Sequence, residues 1–149
     1  MDLKTYLLAI KRYSLPQCNG PDYLLPALAD EVRELMEAQT AEDKVKEAGD
    51  CLYMTAKLRE YYGLTTASPW YIIHDTDAKL DTSAFGIIAK AIRKQVRVDR
   101  FDLMLAFDRL DMGLSSLADE SLSTIAIVND AKLADRLKRG VIIGNGDNR

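Results

Sequence analysis

The chain has 149 residues, 48% hydrophobic and 29% charged, which is the size and balance of one globular domain, neither disordered nor fibrous. No apolar run approaches the ~18 residues that cross a bilayer, and twenty basic against twenty-three acidic side chains are too evenly matched for a general nucleic-acid binder. Cys18 and Cys51 have no zinc-type spacing and a single histidine, His74, cannot build a His-rich metal site, so reduced thiols in a cytoplasmic protein are expected, with the chemistry resting on carboxylates.

The pattern along the chain reads as helix after helix. Leu3, Tyr6, Leu7 and Ile10 recur at helical spacing between Asp2 and Tyr13. Ser14 to Pro21, with two prolines and an Asn-Gly pair, reads as a loop. A second helix starts between Asp22 and Leu25, because Pro26 is tolerated only near a first turn, and runs to Ala38. Thr40 is placed to cap a third helix that Gly63 stops. Leu64 to Thr82 breaks the pattern; its run Trp70-Tyr71-Ile72-Ile73 reads as a short strand or an apolar plug, and His74 as a loop residue without a chemical role. Helices resume over Ser83 to Val96, Asp99 to Leu117 and Ser121 to Arg139, with Gly140 as the stop. The glycine- and asparagine-rich tail, 141–149, is expected to be mobile or ordered by ligand. The whole is one all-α domain, a helix bundle. The wide apolar faces, the third helix above all, exceed what one bundle hides, so a homodimer or homotetramer is expected.

On the second helix two carboxylates intrude where apolar residues belong. With Leu24 at zero and about 100° per residue, Leu28, Val32 and Leu35 fall within about 80°, Glu31 lands at about 340° inside the same arc, and Glu34 borders it at about 280°. Asp30, Arg33 and Glu37 fall on the opposite, solvated side. On the third helix Glu47 precedes Cys51, Met54 and Leu58 at i+4, i+7 and i+11, and Asp50 shares a face with Met54 and Tyr61. Acidic residues usually decorate solvated faces, but two pairs set against apolar arcs on consecutive helices need compensation, since a buried carboxylate costs several kcal/mol and neighbouring ones repel. A divalent cation answers both needs, and an all-oxygen donor set points to Mg²⁺, with Mn²⁺ able to substitute. Late in the chain Asn129, Lys132 and Arg136, at i, i+3 and i+7, share one helix face. A second basic stripe, Lys90, Arg93, Lys94 and Arg97, reads equally as a solvated face or as a surface for phosphates or a partner.

The spacing Glu31-x-x-Glu34, twelve residues, Glu47-x-x-Asp50 resembles the metal motif of the MazG-like, all-α nucleotide pyrophosphohydrolases. Leu28-Ala29-Asp30-Glu31-Val32-Arg33-Glu34 is similar to that family's first metal-binding helix, and Lys46-Glu47-Ala48-Gly49-Asp50-Cys51-Leu52-Tyr53 to its second. Asn129-Asp130-Ala131-Lys132-Leu133-Ala134-Asp135-Arg136 resembles its late Asn-x-x-Lys-Leu-x-x-Arg helix. Asp30 stands where many relatives have Glu, only one copy of the motif is present, and Leu64 to Thr82 matches none of the family's words. The resemblance implies Mg²⁺-dependent hydrolysis of (d)NTPs between the α- and β-phosphates. Glu31, Glu34, Glu47 and Asp50 would hold the metal, Glu34 would act as general base, and Asn129, Lys132 and Arg136 would contact the substrate. Specialised relatives, acting on dUTP, dCTP or phosphoribosyl-ATP, share the same carboxylates. A helical regulator that binds nucleotides or alarmones without turning them over is the alternative of another class. Neither a membrane nor a nucleic-acid partner is expected.

Overall fold

A computed structural model describes residues 1–72 and 79–141, and among these six α-helices and no strand are found. They are α1 (Leu3–Ile10), α2 (Pro21–Glu37), α3 (Ala41–Tyr62), α4 (Ser83–Lys94), α5 (Arg100–Ala118) and α6 (Leu122–Lys138). None is long and apolar enough to cross a membrane. The all-α reading therefore holds for the described residues; His74 and 142–149 lie outside them.

Local chemistry sets the ends of these helices. Asp2, Thr40, Asp99 and Ser121 each accept a hydrogen bond from the backbone N–H three residues on, which satisfies one of the free donors of a first turn. Gly63 closes α3 in the left-handed conformation, at φ 63°, where a side chain would be strained. Several ends differ from the sequence reading by one to three residues; α4, for example, stops at Lys94 and not at Val96, with Gln95 closing it in the left-handed conformation. α1 stops at Ile10 and passes into a 3₁₀ turn over Lys11–Tyr13. α2 begins at Pro21, earlier than expected, because Pro21 has the fixed φ suited to a first helical position. Pro26 consequently lies inside α2, where its missing N–H leaves the Asp22 carbonyl without an intrahelical donor.

α3 is the axis of the bundle. α2 folds back along it through 38–40 as the most extensive helix pair, and α5, α6 and α1 cover its other sides; α4 rests on α5 and touches α2. Leu24, Leu28, Leu52, Leu58, Leu103, Phe107, Leu110, Leu114 and Ile125 are all fully buried between these helices. The segment after α3 supplies a plug, not a strand, over its described part. Trp70 is buried, its ring tilted against Tyr6 at 5.7 Å, and its carbonyl accepts from Ser123 N at 2.7 Å, while Tyr71 lies on the surface.

The core also contains a charge network that the periodicity reading passed over. Arg59 is fully buried and donates through Nη2 to Asp108 at 2.6 Å and through Nη1 to Asp111, with Phe107 stacked 5.3 Å from the guanidinium. Thr55 donates to Asp111 at 3.0 Å; the Thr66 hydroxyl and Ala67 N–H donate to Asp108 at 2.6 and 2.7 Å. This network joins α3, α5 and the segment that carries Trp70. A buried ion pair broken from one side leaves a charge without compensation. Replacing Arg59 by Leu is therefore expected to destabilise the fold by about 3–5 kcal/mol, read as a lowered urea midpoint.

Candidate metal centre

Glu31 and Glu34 lie one turn apart on α2 and face Glu47 on α3, and one oxygen from each of the three lies within 4.8 Å of the others. All three are half-buried. On the outer side of α2, Arg33 pairs with Asp30 at 2.9 Å and with Glu37 at 2.8 Å, so these carboxylates are spent on the surface. Glu34 keeps 23% side-chain exposure and lies 3.5 Å from the Arg33 guanidinium. Glu31 and Glu47 are not in hydrogen-bond or ion-pair contact with a described residue, and Lys132 acts on both through space.

Asp50, one turn beyond Glu47, is differently placed. Its Oδ1 accepts from Asn129 Nδ2 at 3.0 Å and its Oδ2 pairs with the Lys132 ammonium, both from α6. Two of the three late-helix residues expected to meet substrate thus hold Asp50, while Arg136, one turn further along α6, is half-buried and also engaged. Helices α3 and α6 approach closely here because position 49 is glycine: a Cβ there would lie 2.9 Å from Asn129 Cβ. Behind Asn129, the fully buried Tyr6 donates to its Oδ1 at 2.6 Å. Tyr6 is a site residue the sequence reading treated only as part of an apolar face; its phenol is the one polar atom on that face of α1 able to reach across to α6.

The electrostatics follow from this crowding. Burial, followed by the charges of Asp50, Glu34 and Glu47, pushes the Glu31 carboxyl up to about 8, against a smaller opposing pull from Lys132. Glu47 is raised for the same reasons, burial first and Asp50 next. Burial and then Glu31 push the thiol of Cys51, packed behind the glutamates, well above its usual range. Crowding of half-buried carboxylates that raises Glu31 and Glu47 in this way is one that a cation relieves. The donor set, three carboxylate oxygens within 4.8 Å of one another, is of the all-oxygen kind that a hard divalent ion takes.

No protein-family model, curated protein or solved structure matches this chain. The class defined here is an all-α bundle with a three-glutamate cluster suited to a divalent cation.

The sign of the pH dependence is set by Glu31. The unfolded chain releases this proton near the ordinary glutamate value of about 4.3, whereas the folded chain keeps it to about 8. Between these limits the folded state binds more protons, so its stabilising effect is complete below that window and lost as pH rises through it. For cation-free protein, Glu31→Gln is expected to raise the melting temperature relative to wild type more at about pH 8.5 than at about pH 5.5. Excess Mg²⁺ should raise the wild-type value at the higher pH and leave the variant much less changed, as scanning calorimetry would record.

Proposed function

We propose that this chain is a Mg²⁺-dependent nucleoside triphosphate pyrophosphohydrolase of the MazG-like kind, converting (d)NTP to (d)NMP and pyrophosphate. The observation that carries the reading is the convergence of Glu31, Glu34 and Glu47, with one oxygen of each within 4.8 Å of the others and the Glu31 carboxyl pushed up to about 8. Glu31, Glu34 and Glu47 would hold the metal, with Asp50 adjoining as the fourth carboxylate. When bound, Mg²⁺ supplies charge neutralisation and Lewis-acid polarisation at the phosphates.

The residues of the chain divide the remaining work. Glu34, the cluster member at the solvent border, accepts the proton of the water that attacks the α-phosphorus. The bond from that phosphorus to the α–β bridging oxygen breaks, and pyrophosphate leaves with its electron pair. Arg136, on the same face of α6 as Lys132, would contact phosphate oxygens on substrate binding, in exchange for the partner that engages it in the free chain. Lys132 and Asn129 keep Asp50 in place beside the glutamates, and the Lys132 ammonium acts on Glu31 and Glu47 through space. A homodimer or homotetramer would cover the exposed Leu8, Met36 and Phe101; light scattering would read its mass.

The test is pyrophosphate release from a panel of ribo- and deoxyribonucleoside triphosphates, with Mg²⁺ or with EDTA. Release with a monophosphate product is expected only with metal, and Glu47→Gln should lower it by more than about 100-fold while the helical circular-dichroism spectrum is retained. Nucleotide binding without turnover would instead favour the non-catalytic regulator, and turnover of one specialised nucleotide alone would favour the narrower hydrolases.

A further inference from the structure

We propose that Tyr6 is a positioning residue for the carboxylate cluster: its hydroxyl fixes the Asn129 amide and, through that amide, the orientation of Asp50. The inference rests on the cation reading above only for its consequence at the site; the orienting role itself stands on the hydrogen-bond chain.

That chain is determined from both ends. The Asp50 carboxylate accepts only, so the amide of Asn129 must turn its NH₂ towards it, as the 3.0 Å contact from Nδ2 to Oδ1 has it. The amide oxygen then points the other way, at the Tyr6 hydroxyl 2.6 Å off, which can donate. Asn129 is 1% exposed and Tyr6 0%, so no bulk water can take the place of either partner. The parts cannot drift. Trp70 packs on the Tyr6 ring at 5.7 Å and is itself tied to the first turn of α6 through Ser123. The close approach at Gly49 leaves no slack between Asn129 and α3.

Without the hydroxyl, the Asn129 oxygen is a buried acceptor with no donor, and the amide loses the contact that stops it from turning. Asp50 then keeps Lys132 as its remaining side-chain partner from α6. A carboxylate held by one flexible ammonium explores positions that the two-point grip forbids. Outer residues that orient metal-binding carboxylates act in this way.

The experiment uses the ¹⁵N-labelled full chain, cation-free, as wild type and Tyr6→Phe. In wild type a slowly exchanging Tyr6 hydroxyl proton, with a nuclear Overhauser contact to Asn129, is expected; its absence overturns the proposal even where the variant does not fold. In Tyr6→Phe the Asn129 side-chain NH₂ resonances should shift or broaden, and unchanged resonances overturn it. A Mn²⁺ titration followed by electron paramagnetic resonance should give about tenfold weaker binding in the variant. Equal affinity with a displaced amide would remove the link to the cluster. Wild type that binds no Mn²⁺ would instead overturn the cation reading, and the amide resonances would still decide the orienting role.

Discussion

A stretch of helix covered by its neighbours has no solvated face on which to place its charges, and α3 from Glu47 to Arg59, where no residue is exposed, is such a stretch. Lys57 pairs with Glu60 on α3 itself; three further charged side chains there face the neighbouring helices, and the protein treats each differently. Arg59 is neutralised within the core by Asp108 and Asp111. Asp50 is met by Lys132 and Asn129 from α6. Glu47 meets two more glutamates from α2. The first two arrangements are closed within the chain, whereas the third concentrates negative charge, and that difference is why the cluster is the candidate site.

The hairpin of α2 and α3 has to hold this repulsion. Two carboxylates about 4 Å apart near a protein surface repel by about 4 kcal/mol. Each fully buried leucine contributes roughly 1.5–3 kcal/mol, and Leu24, Leu28, Leu35, Leu52 and Leu58 are all buried on these two helices. Packing therefore wins, and the charge stays concentrated until a proton or a cation relieves it. The rise of Glu31 to about 8 comes first from this burial and then from the charges of Asp50, Glu34 and Glu47.

The segment after α3 links the buried ion-pair network of α3 and α5 to α1 and α6. Asp108 fixes Thr66 and Ala67 close to the start of the segment, and Trp70 a few residues later enters the core against Tyr6. Through Tyr6 and Asn129 this packing reaches Asp50. A stretch that matches no family pattern thus contributes to the architecture behind the carboxylates, although it holds none of them.

Much of this was legible in the amino-acid order because helices are local objects. The 3.6-residue period, Thr40 as a cap and Gly63 as a stop depend on neighbours a few positions away, and the α3 ends lie where they were expected. The intrusion of Glu31 and Glu47 into apolar arcs is equally local, so the carboxylates stood out before any packing was known. The same signal existed for Asp111, at i+8, i+4 and i−3 from Leu103, Phe107 and Leu114, and for its neighbour Asp108, but a periodicity cannot name their partner Arg59, 49 and 52 positions away. Nor could it assign Asp50 to Lys132, or Tyr6 to Asn129, 82 and 123 positions apart. By itself the sequence determined which helices form and which faces carry misplaced charge. Only the tertiary structure decided which of those charges meet an opposite one, because compensation is a matter of distance in space, and distances across a bundle are set by how its helices pack.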